Sequence, residues 1–330
     1  MAQQEADVFL KFDVVSDASD HYFFKSFNNI SNKVHKKIMQ EWKILEKDLP
    51  DSIYVRVYEN RIDLLRAVII GAAGTPYHDG LYFFDIAFPF DYPLKPPLLY
   101  YNSFGLRINP NLYSSGRVCL SLVNTWYGKK IEKWNPNEST LLQVLLSIQA
   151  LVLNEKPYYN EPGHNMRPGR VIVEKKSNLY SEDVFVLACK TMLFNLRRPP
   201  KNFEGFVRSH FRERASIILS ACNAYVNGGI RIGYYNYSGS GIATTEVSCD
   251  FKAKVAQLYP QMASAFINSG ASLESSRRIL TVEVKTAPFK EPVVMAKKKS
   301  GIVTRVFGKL KKVLGLKEKS GKNSVVKKTT

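Results

Sequence analysis

Apolar residues recur every three or four positions over residues 33–48, where Val34, Ile38, Trp42 and Leu45 fall on one face and charged residues fill the other. This spacing predicts a helix, and Ser31 or Asn32 can cap its start. The pattern then changes to that of strands. Residues 53–58 alternate, 64–70 form an apolar run, and 81–88 are rich in aromatics; 98–101 complete a four-stranded antiparallel meander. Gly71 to Pro76 and the pair Asp79-Gly80 are turn signals. Prolines at 89, 93, 96 and 97 prevent regular structure and make 89–97 a stiff loop. Residues 102–138 are irregular, and a long irregular segment inside a compact domain is functional or disordered. Helical spacing returns at 141–153, with Ser139 or Thr140 as its cap, and again near 181–197, 202–226 and 251–269, with Pro199-Pro200 separating the second and third of these helices. Strands followed by helices predict an α+β fold.

These elements divide the chain into an N-terminal extension (1–30), a main domain with C-terminal helices (31–230), a linker with a further helix (231–294) and a basic tail (295–330). The net charge of +18 is concentrated in that tail, where Met295–Thr330 holds twelve Lys/Arg and one acid, Glu318. A basic balance confined to one end argues against specific nucleic-acid binding by the whole chain. Within the tail, Val303, Val306, Phe307, Leu310 and Leu314 share one helical face, with Arg305, Lys309 and Lys312 mostly on another. Residues 302–316 thus suit an anionic membrane surface, but also a calmodulin-like partner, a nuclear-import signal or a solvated tail. The longest apolar stretch, 141–153, is too short to span a bilayer. Cys119, Cys189, Cys222 and Cys249 fit neither a metal pattern nor a dense disulfide framework. Reduced thiols in a cytoplasmic or nuclear setting are the simplest reading, with peripheral membrane attachment if the tail supplies it.

The candidate chemistry lies in 107–126, Arg-Ile-Asn-Pro-Asn-Leu-Tyr-Ser-Ser-Gly-Arg-Val-Cys-Leu-Ser-Leu-Val-Asn-Thr-Trp. A cysteine in coil, as thiolate, can form a thioester that passes its acyl group on. Asn111 is a neutral donor suited to a developing oxyanion. The competing reading of Cys119 is a small buried hydrophobe.

From Lys36 onward the chain resembles the ubiquitin-conjugating domain. The residues that carry the resemblance are Lys37-Ile-Met-Gln-Glu-Trp-Lys-Ile-Leu45 and Gly74-Thr-Pro-Tyr-His-Asp-Gly80, then Phe88-Pro-Phe-Asp-Tyr-Pro-Leu-Lys-Pro-Pro97 and Asn109-Pro-Asn111. Gly116-Arg-Val-Cys-Leu120 and Trp134-Asn-Pro136 follow in the same order. The resemblance implies that Cys119 accepts ubiquitin from an activating enzyme and passes it to a substrate lysine, with Asn111 supporting the oxyanion or holding the loop. It implies no cofactor and no metal, since ATP is consumed by the activating enzyme. Asn109 replaces a usually structural histidine. The acid that many members place after the following helix falls near Tyr159, Asn160 and Glu161; the resemblance implies either that Glu161 substitutes for it or that Tyr159 and Asn160 only shape the groove. Asn-Pro-Asn and a longer insertion from Asn124 to Lys133 resemble the large plant-type subclass and the conjugating–ligase hybrids, which suggests some ligase-independent activity. Lys37, Leu94, Lys95 and Pro136 are the candidates for docking a ligase or the activating enzyme, and Trp134 reads as a core anchor. The alternative is a catalytically inactive scaffold of the same fold that binds ubiquitin or a partner. A cysteine hydrolase would need a histidine base, and His21, His35, His78, His164 and His210 sit in no such motif.

Overall fold

The computed structural model describes residues 9–26, 30–164, 171–235 and 246–273. The tail beyond 294, and with it the amphipathic stretch 302–316, lies outside the described residues.

A five-stranded sheet runs in the order β1 (Phe12–Val15), β2 (Ile53–Tyr58), β3 (Arg61–Ile70), β4 (Leu81–Ala87) and β5 (Leu98–Tyr101). The last four form the antiparallel meander read from the sequence. The fifth strand, β1, comes from the N-terminal extension and pairs parallel to β2, Phe12 opposite Val55. Its four residues are too few to show a period, and its partner lies some forty residues away.

Helix α1 (Asn32–Asp48) begins at Ser31, whose side chain accepts from the Val34 N–H. Its buried face is Val34, Ile38, Glu41 and Leu45. A carboxylate therefore occupies the position next to Trp42, which is half-buried and edge-on to Phe12. Buried charge is tolerated when its oxygens are bonded, and Glu41 meets this condition. It accepts from the Tyr92 hydroxyl at 2.7 Å and the Leu141 N–H at 2.9 Å, with Lys37 Nζ 3.5 Å away. This one carboxylate ties α1 to the proline loop and to the start of α2 (Leu141–Ser147). Thr140 caps α2 in a reciprocal box with Gln143, as the sequence predicts, but the helix loosens into a wide turn over Ile148–Val152.

Helices α3 (Val171–Arg197), α4 (Glu204–Asn227) and α5 (Cys249–Asn268) follow. Alternation along the strands divides the core in two. Tyr82, Phe84 and Ile86 pack with α1 and α2, whereas Val68, Leu81 and Phe83 pack with α3, α4 and α5. Ile232, Val247, Phe251, Val255, Met262 and Phe266 also belong to this second cluster. The Ser248 hydroxyl caps α5 and is bonded to the Glu182 carboxylate on α3. The packing thus shows no break at residue 230. The N-terminal segment is fastened as well, since Lys201 Nζ meets Asp17 at 2.6 Å and Arg66 bridges Asp20 and Asp85. Among the described residues no helix is long and apolar enough to cross a membrane.

Candidate active site

The irregular stretch after β5 is held by a small set of bonds. Gly116 has φ +81, and its carbonyl accepts from the Tyr101 N–H at 2.7 Å. A Cβ there would lie 2.1 Å from the Tyr100 ring, so only glycine fits. Tyr100 is stacked in turn on Tyr22 of the N-terminal segment, ring centroids 3.6 Å apart. Single bridges join Tyr100 to Arg117 and Leu112 to Val118, aligning the run into Cys119 with the run after Asn109.

Cys119 and Asn111 are joined twice. The Cys119 N–H donates to the Asn111 carbonyl at 2.9 Å, and the Asn111 side-chain amide donates to the Cys119 carbonyl at 2.8 Å. Asn109, fully buried, donates to the Tyr77 hydroxyl and the Val152 carbonyl and accepts from the Asn111 N–H at 2.8 Å. Asn160 reaches the same oxygen of Asn109 at 3.4 Å and is steadied by Asn154. Cys119, Asn111, Asn109 and Asn160 thus form one connected group.

Tyr159 and Glu161 are placed differently. The Tyr159 hydroxyl turns to Glu174 on α3, a carboxylate shared with Lys156. Glu161 pairs with Arg107 at 3.6 Å, and Arg107 also lies over the Tyr113 ring.

Cys119 is 2 % exposed, and this burial raises its pKa; Arg117, a hydrogen bond from Tyr113, and Arg107 oppose the rise. These three side chains were not singled out from the sequence. Tyr113 and Arg117 lie six and two residues before the cysteine, so position was the only available signal. Of the histidines, His21 is bonded to Leu65, His78 to Asp79 and Tyr225, and His210 to the Asp79 carbonyl. Among the described residues no cluster of His, Cys, Asp and Glu could hold a metal ion, and all four cysteines are free.

A second surface adjoins the proline loop. Trp134 is buried and donates to the Pro93 carbonyl at 2.6 Å, as a core anchor would. It fixes the loop so that Leu94, 73 % exposed, and Phe90 stand outward. Lys95 pairs with Asp91, Pro136 is half-buried, and Lys37 leans toward Glu41.

The family described as "Ubiquitin-conjugating enzyme" matches residues 37–186, which include the β2–β5 meander, Asn111 and Cys119. The chain is 50 % identical over 283 residues to "Putative ubiquitin-conjugating enzyme E2 39" of Arabidopsis thaliana, covering 82 % of this chain and 86 % of that protein. It belongs to the ubiquitin-conjugating enzymes. Another Arabidopsis thaliana relative, "Putative ubiquitin-conjugating enzyme E2 38", is 56 % identical over 67 % of this chain and 68 % of its own length. "Probable ubiquitin-conjugating enzyme E2 24" from the same plant is 50 % identical over 79 % of this chain, but the match spans only 29 % of that longer relative. The resemblance to this family in its plant-type form, and the α+β fold it implies, therefore hold.

Proposed function

We propose that this ubiquitin-conjugating enzyme carries ubiquitin as a thioester on Cys119 and transfers it to substrate lysines. The observation that carries the proposal is the double bond pairing of Cys119 with Asn111, which holds the cysteine's backbone in a fixed loop. The Cys119 thiolate attacks the ubiquitin C-terminal carbonyl, held as a thioester on the activating enzyme, whose own thiolate leaves. A lysine ε-amine then attacks the new thioester, loses its proton, and displaces the Cys119 thiolate as the isopeptide bond forms.

The Asn111 amide is engaged with the Cys119 carbonyl, which supports loop-holding as its resting role. Oxyanion support would require that bond to be exchanged for one to the intermediate. Asn109 acts structurally, steadied by Asn160. Glu161 sits within the charge environment of the site, where it offsets Arg107, while Tyr159 braces α3. Leu94, Lys95, Pro136 and Lys37 present the docking surface for the ligase and the activating enzyme. A cytoplasmic or nuclear setting keeps Cys119 reduced, and the basic stretch 302–316 adds contact with an anionic membrane surface.

The test is a charging assay with activating enzyme, ATP and ubiquitin, run with and without thiol reductant. A reductant-sensitive adduct that Cys119→Ala abolishes is the expected result. No adduct with ubiquitin or any related modifier would favour the inactive scaffold.

A further inference from the structure

The loop immediately after the cysteine, residues 124–133, is latched to the active-site backbone. The Thr125 hydroxyl donates to the Val118 carbonyl at 2.8 Å and accepts from the Leu120 N–H at 2.9 Å, so it brackets Cys119 on both sides. The Ser121 hydroxyl holds the Tyr127 carbonyl at 2.8 Å. Gly128 passes so close to Ser121 and Glu132 that an added Cβ would lie 2.6 Å from the Ser121 hydroxyl. Glu132, the one acid in the loop, is turned inward, where its carboxylate accepts from the Lys129 N–H at 3.0 Å.

This arrangement fixes what the loop shows to solvent. Tyr127 and Ile131 are 71 % and 68 % exposed, and Lys129, Lys130 and Lys133 stand among them. None of these lysines has an ion-pair partner among the described residues. The loop's own acid is buried, so the outward face carries positive charge only. Arg117, also exposed, extends that charge toward the thiol. A mobile solvated loop would not need to be held to the active-site segment at Thr125 and Tyr127, nor two large apolar groups held outward.

We propose that this face selects acceptor segments in which the lysine is flanked by acidic residues and one apolar side chain. The inference takes the transfer reaction proposed above as its setting and names its substrate class. Acidic side chains match Lys129, Lys130, Lys133 and Arg117, and the apolar residue covers Tyr127 and Ile131. The face adjoins the thiol whose transfer reaction ends on a lysine amine, which favours a protein occupant.

The test is fluorescence anisotropy with the full-length, uncharged protein, so that its result stands apart from thioester formation. The probes are three labelled peptides with a central lysine, flanked by Glu and Leu, by Ser and Leu, or by Arg and Leu. The Glu peptide is expected to bind at least about tenfold more tightly than the Ser peptide, and the preference to fall with added salt. The triple variant K129E/K130E/K133E should lose that preference, and Y127S/I131S should weaken Glu-peptide binding severalfold, both with unchanged melting temperature. Equal binding of the three peptides, or a single-stranded oligonucleotide competing better than the Glu peptide, would overturn the inference. Absence of a thioester in the charging assay would instead count against the transfer reading, while the peptide preference would still be read.

Discussion

The side-chain amide of Asn111 lies 2.8 Å from the Cys119 carbonyl oxygen, and the Cys119 N–H lies 2.9 Å from the Asn111 carbonyl. The two residues are eight positions apart and behave as one rigid link. Asn111→Ala removes the side-chain half of that link. Discharge of the thioester to free lysine should fall roughly 10- to 1000-fold if the amide also serves the oxyanion, with a smaller loss in charging. Single-turnover discharge and charging rates, measured side by side, give the split.

Burial holds the Cys119 thiol above the ordinary cysteine range, and Arg117 pulls it back. The reactive form is the thiolate, so charging should accelerate as pH rises from 7 toward 9. Arg117→Ala removes an opposing positive charge and should raise the thiol pKa further. At neutral pH this variant should charge roughly three- to tenfold more slowly, recovering at higher pH, since each unit of pKa is a tenfold change in thiolate.

Glu41 is a fully buried carboxylate that accepts from Tyr92 and from the start of α2. Glu41→Ala would strand the Tyr92 hydroxyl and the Leu141 N–H away from water. The expected cost is about 2–4 kcal/mol in urea unfolding, with looser ligase binding because Tyr92 belongs to the proline loop.

Gly116→Ala forces a side chain into the Tyr100 ring at a positive φ. A loss of roughly 2–4 kcal/mol follows from combining the backbone and overpacking costs. Thermal unfolding together with charging rate would detect it. Tyr22→Ala, which removes only the ring stacked on Tyr100, should be milder in both.

His21 is buried and His210 half-buried, and desolvation holds each below its ordinary value of 6.5. The unfolded chain therefore takes up these protons first. Stability should be fully present at about pH 8 and decline as pH falls through about 6.5 toward the lower folded values. Urea midpoints across that range, with His210→Gln flattening the decline, test the assignment.

Much of this architecture is legible in the chain. The spacing of Val34, Ile38 and Leu45 marks α1, and the turn at Asp79-Gly80 separates two strands correctly. Cys119 stands out once the proline-rich and Asn-Pro-Asn segments are seen in order. Other features depend on partners far away in sequence. β1 is four residues long and acquires its meaning only beside β2. The first ten residues of α3 follow Pro168-Gly169 and carry little periodicity, so the sequence places the helix start near 181 and the structure places it at Val171. Glu41 reads as surface charge until Tyr92 and Leu141 are brought to it. Arg107 meets Glu161 across 54 positions, which no local pattern encodes.

The three helices behind the sheet also bear on where the chain can be cut. The family match ends at residue 186, in the middle of α3. A fragment trimmed to that match would keep Cys119 and Asn111, yet leave Val68, Leu81 and Phe83 without α4, α5 and the second half of α3, which complete their cover. It would also lose the N-terminal segment with β1, together with Lys201, which clasps that segment through Asp17. The stretch that the family description matches is thus shorter than the stretch that must be expressed, and a soluble preparation should retain residues 9–273, from Phe9 to Leu273 of the second cluster.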